Sequence, residues 1–158
     1  MLNLKERTLV IIKPDALQRG ALGLILERFH HKGLKLVGLK LTKLSDIVLN
    51  QHYAHHKGKS FFSGLKKFMQ SSPVALVVLE GAEAVEVVRS LVGPTSGRKA
   101  PPGTVRGDFS ISTQANTIHA SDSVVSAKIE LKRFFKPNEL FDYQRHDFDF
   151  IYGEEERG

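Results

Sequence analysis

A four-stranded antiparallel sheet with helices packed on it, an α+β architecture, is what this 158-residue sequence predicts. Three observations lead there. Short apolar runs of strand length alternate with segments whose apolar residues recur at helical spacing. Glycines, prolines and capping residues fall between them. The chain is also long enough to bury a core, being 41% apolar and 25% charged, and no repeat or linker divides it. One domain over residues 1–158 is expected, with 1–5 and 153–158 as terminal tails.

Thr8-Leu9-Val10-Ile11-Ile12 reads as a buried strand, cut by Lys13-Pro14-Asp15. Pro14 fixes its own φ and biases Lys13 away from helix, so Lys13 is expected at the strand's end, facing a loop. Leu22, Ile25, Leu26 and Phe29 then mark a helix that Gly33 stops. Residues 34–41 alternate apolar and polar with a phase slip at Gly38, the pattern of a half-buried strand bulged near the glycine. Ser45 caps a helix running to about Tyr53.

A short helix is expected around Phe61–Met69, and Pro73 introduces a second buried strand, Val74–Leu79. Ala84, Val85, Val88 and Leu91 form a helical stripe that ends near Gly93. Residues 93–107 are rich in Gly, Pro and basic side chains and read as a long functional loop. Ile118 is strand-like and leads into His119-Ala120-Ser121-Asp122, after which Ser123 caps a helix carrying Val124, Ala127 and Leu131. The order β-α-β-α-β-α-β indicates a ferredoxin-like sandwich with its helices on one face.

Lys and Arg number 23 against 17 Asp and Glu, a surplus of six that favours anionic partners: nucleotides, nucleic acid or an acidic surface. No basic block or Arg–aromatic interleaving promotes nucleic acid among these. Cysteine is absent, which excludes disulfides and thiolate metal sites. Apolar runs fall far short of the ~20 residues of a membrane span. A cytoplasmic protein with no membrane association is the expectation.

Gly58-Lys59-Ser60 imitates the end of a phosphate-binding loop, but the glycine that motif needs five residues earlier is Tyr53. A plain loop is expected. His52, His55 and His56 have helical metal spacing, yet no carboxylate accompanies them in the usual arrangement, and exposed helical histidines are the simpler reading. Arg89, Thr95, Arg98 and Arg106 around the Gly-rich segment offer donors suited to phosphate oxygens. The densest chemical cluster is His119 to Ser123. Glu130 lies two turns past Ser123 on one helix face, where a carboxylate would orient an imidazole and decide which ring nitrogen is free.

Ordered blocks then carry a resemblance. They are Glu6-Arg7-Thr8, Ile12-Lys13-Pro14-Asp15, Gln18-Arg19-Gly20, Lys32-Gly33, Leu36-Val37-Gly38, His52-Tyr53 and Phe61-Phe62-Ser63-Gly64-Leu65. Pro102 to Asp108 and Asn116 to Ser123 complete them. In these blocks, from residue 6 to about 152, the sequence resembles the nucleoside diphosphate kinases. The resemblance implies a ferredoxin-like fold, assembly into a homo-hexamer or homo-tetramer, and ping-pong transfer of a terminal phosphate between nucleoside tri- and diphosphates.

By position it makes His119 the nucleophile, oriented by Glu130, with Ser121 and Tyr53 close by. It gives Lys13 and Asn116 the ribose and its link to the phosphates. Arg89, Thr95 and Arg106 would clamp the diphosphate together with Mg²⁺, which the phosphates themselves would mainly hold, no protein metal ligand being expected. Phe61 would stack on the base, with Leu65 and Thr113 lining the slot. Ala120, Thr113, Pro94 and Gly97 depart from the family's commoner residues. Ala120 requires a backbone without positive φ, and the other changes touch the base slot and a loop used in assembly. A protein-histidine phosphocarrier is the alternative within phosphate chemistry, and a nucleic-acid-binding module the alternative outside it.

Overall fold

A computed structural model describes residues 2–157. The strands are β1 (Glu6–Ile12), β2 (Lys35–Thr42), β3 (Val74–Gly81) and β4 (Ile118–Ala120). The first six helices are α1 (Pro14–Gln18), α2 (Leu22–His31), α3 (Asp46–His52), α4 (Phe62–Gln70), α5 (Ala84–Val92) and α6 (Val105–Phe109). Two more, α7 (Val124–Phe134) and α8 (Phe148–Ile151), follow β4. The sheet has the order β2-β3-β1-β4 and is antiparallel throughout, as the ferredoxin-like reading requires.

Helices cover both faces of the sheet, which corrects the expectation of one covered face. Val10 and Ile12 pack with Ile25 and Phe29 of α2, Val88 of α5 and Val105 of α6. Leu9 and Ile11 point the other way, to Leu49 of α3, Leu65 and Met69 of α4 and Phe134 of α7. The physical reason is visible in the two central strands. A strand with one wet face alternates, whereas Leu9-Val10-Ile11-Ile12 and Val74–Leu79 are continuously apolar because both of their faces are buried.

The slip expected in β2 is a bulge: Leu36 pairs with Leu79 and Gly38 with Val78, so Val37 is the extra residue. Gly38 is needed because a Cβ there would stand 2.9 Å from Leu140 and 3.2 Å from the carbonyl oxygen of Glu139. Ser45 and Ser123 cap α3 and α7 as expected, accepting from Val48 N and Ser126 N. Two local expectations are corrected. Pro14 does not open a loop but sits in the first turn of α1, with Lys13 as the extended N-cap residue. The 93–107 segment is not all loop: a 3₁₀ turn occupies Gly97–Lys99, and α6 begins at Val105 under the hydroxyl of Thr104, which accepts from Gly107 N. Among the described residues no helix is long and apolar enough to cross a membrane.

Candidate active site

The four-stranded sheet brings His119 to a cavity through its register. His119 pairs with Ile11, so it shares the sheet face that α3, α4 and α7 cover, while Ile118 and Ala120 turn into the opposite core. Ala120 lies in β4 and has no positive φ, as required. The cavity measures about 640 Å³. A cleft of equal volume lies between residues 2–5 and the C-terminal segment, but its Lys35, Glu80 and Asp142 are already paired with one another.

His119 Nε2 lies 3.1 and 3.2 Å from the two carboxylate oxygens of Glu130 on α7, and Ser121 Oγ donates to the same carboxylate at 2.6 Å. Burial alone would raise the Glu130 pKa; the bonds from His119 and Ser121 outweigh it and hold the group below the usual glutamate value. An ionised carboxylate only accepts hydrogen bonds. Nε2 therefore carries the ring proton, and Nδ1 keeps its lone pair.

Lys13 enters from the end of β1. Its Nζ donates to Asn116 Oδ1 at 2.6 Å, and the Asn116 amide donates to the Thr95 carbonyl at 2.9 Å. Burial, followed by repulsion from Arg106, pulls Lys13 down to about 8 against the opposing pull of Asp15. Arg106 donates to the carbonyls of Gly93 and Ile118, both at 2.8 Å, and burial together with Arg89 lowers its pKa to about 10. Among the described residues Lys13 and Arg106 bond only neutral oxygens. Neither is in direct contact with a carboxylate, and two buried cations so placed favour an anion beside them.

Asn116 and His119 reach one cavity because the chain between them is not a regular strand. Thr117 has φ 70°, rare for a β-branched residue. It is held there by Asp15 Oδ2, which accepts from Thr117 N at 3.0 Å, and by Lys13 N donating to its carbonyl at 2.8 Å.

The remaining expected residues gather at the same place. Arg89, Thr95, Phe61, Leu65 and Thr113 all line the cavity. Phe61 is half-exposed with Lys59 Nζ 5.7 Å from its ring centre, whereas Leu65 is buried. Tyr53 is buried with an unpartnered hydroxyl, and burial and the nearby Glu130 raise its pKa. Ser121 stands behind Glu130, buried, and its amide donates to the Leu9 carbonyl at 3.1 Å.

The expectation for His52 is overturned. It is buried at the end of α3, with its ring edge-on to His119 at 4.5 Å and to Tyr53 at 4.6 Å. Burial, then His119, drives its pKa down to about 2, so it is neutral. The signal was its place three residues after Leu49, on the apolar stripe of α3. His55 and His56 form a 3₁₀ turn, not a helix face, and also line the cavity. His56 lies 5.1 Å from the Phe61 ring. Gly58-Lys59-Ser60 is a plain loop, as expected.

The chain matches the nucleoside diphosphate kinase family over residues 6–140. A nucleoside diphosphate kinase of Parabacteroides distasonis is 51% identical over 151 residues, spanning 96% of this chain and 99% of that protein. The chain belongs to the nucleoside diphosphate kinase family. A second member, from Staphylothermus marinus, is 49% identical and spans 87% of this chain and 98% of its own. Among solved structures, a halophilic nucleoside diphosphate kinase from Halobacterium salinarum in complex with CDP superposes with a TM-score of 0.92 at 42% identity, covering 94% of this chain and 99% of that one. A family protein from Babesia bovis gives 0.89, also at 42% identity, with 93% and 99% covered.

For a nucleoside diphosphate kinase the arrangement has a direct chemical sense. One nitrogen of the imidazole is held as a donor, and buried cations line the same cavity.

Proposed function

We propose that His119 is the phosphate acceptor of a ping-pong transfer between nucleoside tri- and diphosphates, in one domain spanning the chain. The Nδ1 lone pair attacks the terminal phosphorus, an N–P bond forms, and the bond to the bridging oxygen breaks. Its electron pair leaves on the nucleoside diphosphate. An oxygen of a second diphosphate's terminal phosphate then attacks the phosphohistidine, and the N–P electron pair returns to Nδ1. The observation that carries this is the pair of bonds from His119 Nε2 to Glu130, which leaves Nδ1 as the nucleophile beside Lys13 and Arg106.

The other roles follow from position. Glu130, itself held by Ser121, orients the ring and offsets the positive charge that grows on it during attack. Lys13, Arg89 and Arg106 balance the phosphate oxygens, with Thr95 adding a donor. Asn116 couples Lys13 to the ribose side, and the free hydroxyl of Tyr53 is a donor for the transferred group. Phe61, with Leu65 and Thr113, forms a slot where any base finds a π-face to stack on. A base slot beside the phosphate site favours a nucleotide over a partner protein as the donor and acceptor.

Nucleoside diphosphate kinases work with a divalent metal, and we infer Mg²⁺. The carboxylates lining this cavity are Glu130, committed to His119 and Ser121, and Asp122. One further carboxylate is no cage for a hard cation, so the fit is to an ion delivered on phosphate oxygens, with Asp122 at its edge. When bound there, it neutralises phosphate charge. The family is oligomeric, and we read this chain as a hexamer or tetramer. Supporting that are Leu39 and Leu41, exposed on edge strand β2, with exposed Phe141 and Tyr143.

The test is labelling. Protein incubated with γ-labelled ATP and Mg²⁺, then freed of nucleotide, should hold acid-labile label that passes to added GDP. His119→Ala should take none. Acid-stable label, or undiminished label in the variant, refutes the assignment.

A further inference from the structure

We propose that His52, His119 and Glu130 form a binding site for a borderline divalent metal of the Zn²⁺ class, and that occupancy of this site excludes phosphorylation of His119. The metal-binding part stands on geometry alone; the exclusion rests on His119 being the phosphate acceptor.

A ring nitrogen of each histidine and a carboxylate oxygen of Glu130 lie within 4.8 Å of one another. Two of the separations are shorter: 3.1 Å between His119 Nε2 and Glu130 Oε2, and 3.9 Å between His52 Nδ1 and Glu130 Oε1. Bonds of about 2.0–2.2 Å to N and O in a tetrahedron place ligand atoms roughly 3.3–3.5 Å apart. The trio therefore needs only a contraction at His52. Two imidazoles and one carboxylate with an open fourth position are a donor set for Zn²⁺ or Co²⁺ rather than for Mg²⁺, which prefers oxygen and octahedral geometry.

Little holds the His52 ring by hydrogen bonding. The His52 side chain is 1% exposed, and its Nε2 is a buried polar atom without a partner. Its Nδ1, the nitrogen that faces Glu130, meets the guanidinium of Arg133 at 3.3 Å. Arg133 is half-buried near the C-terminus of α7, so it can swing to solvent and surrender Nδ1. No structural bond would be lost at His52 beyond that one.

The exclusion follows from the tautomer. A metal on His119 Nε2 takes the lone pair freed when the proton leaves that atom. The neutral ring keeps its one proton, which moves to Nδ1, and the nucleophilic lone pair disappears. Glu130 is meanwhile diverted from orienting the ring. A metal on Nε2 thus blocks attack from the opposite nitrogen of the same imidazole.

The probe is Co²⁺, whose visible absorption intensifies in tetrahedral N/O coordination. Full-length protein should bind one Co²⁺ per chain, displaced by Zn²⁺ and not by Mg²⁺. His52→Asn should weaken binding by more than the roughly 10–100-fold that even an outer-shell partner is worth. Arg133→Gln, on the half-exposed face of α7, should tighten it, and serves if His52→Asn fails to fold. No Co²⁺ band in either wild type or Arg133→Gln overturns the site, as does unchanged binding in folded His52→Asn. Protein loaded with Zn²⁺ and freed of excess metal should take no label from γ-labelled ATP and Mg²⁺, and equal labelling before and after loading overturns the exclusion. If the protein takes no label from ATP before loading, the phosphate-acceptor reading and with it the exclusion fail, while the Co²⁺ titration still decides the metal site.

Discussion

Replacing Glu130 by Gln probes the ring-orienting contact with almost no change in volume. In the wild type the carboxylate takes the Nε2 proton at 3.1–3.2 Å and the Ser121 hydroxyl at 2.6 Å. A glutamine oxygen can still accept one of these, but its NH₂ can equally donate to Nε2, which would move the ring proton to Nδ1. Loss of a charge-assisted bond removes about 1.5–3 kcal/mol. At about 1.4 kcal/mol per decade, that is a fall of roughly 10–150-fold in the rate of His119 phosphorylation. A fully inverted tautomer would reach further, as the roughly 10⁴-fold loss from an Asp-to-Asn change in a serine protease triad shows. Rapid-quench single-turnover labelling with γ-labelled ATP measures this step alone. Nucleotide affinity should hold, because Glu130 is committed to His119 and Ser121. A phosphorylation rate within about threefold of wild type, or a loss expressed only as weaker nucleotide binding, would refute the reasoning.

Four further outcomes are expected. Lys13, held at about 8 by burial and Arg106, should lose its charge as pH rises through that value, so the Kd for nucleoside diphosphate should climb above pH 8; a flat profile from pH 7 to 10 in isothermal titration contradicts this. The same depressed pKa means the folded state binds fewer protons than the unfolded chain between about 8 and 10.5, so stability contributed by this group rises with pH across that window and is at its lowest below it, which urea melts at pH 7 and 9.5 of wild type and Lys13→Met can compare. Phe61→Ala should weaken nucleotides by about 1–3 kcal/mol, alike for purines and pyrimidines, with a selective loss for one class counting against simple stacking. Gly38→Val should lower stability by about 1–3 kcal/mol in chemical melts, because the added carbons meet Leu140 and the Glu139 carbonyl; an unchanged midpoint would show that the 135–140 segment yields freely.

Much of the fold was legible because its signals are local. Ser45 and Ser123 announce α3 and α7 through their own hydroxyls, and Gly38 announces a bulge through a phase slip. The covered second face was legible too, in the unbroken apolar run of β1, but the ferredoxin-like analogy overrode it. Other features depend on distant partners. Pro14 reads as a turn until Lys13 N finds the carbonyl of Thr117, a hundred residues on. The path after α7 has no apolar period: Tyr143 bonds the carbonyl of Leu36, and Arg145 those of Gly33 and Leu34. At the site, the expected residues other than Ser121, which bonds Glu130 from behind, line one cavity. His52 escaped because its neighbours in space, His119 and Glu130, come from β4 and α7.

The buried cations give the protein a second property. Lys13 and Arg106 are buried near each other and repel, a repulsion that a polyphosphate bound between them, as proposed, would relieve. Occupancy at a hundred times Kd adds about 2.7 kcal/mol to the resistance of a protein to unfolding. Survival of this chain against heat and proteolysis is thereby tied to the supply of nucleotide. The folded population becomes a gauge of the pool it draws on, with starved molecules the first to unfold.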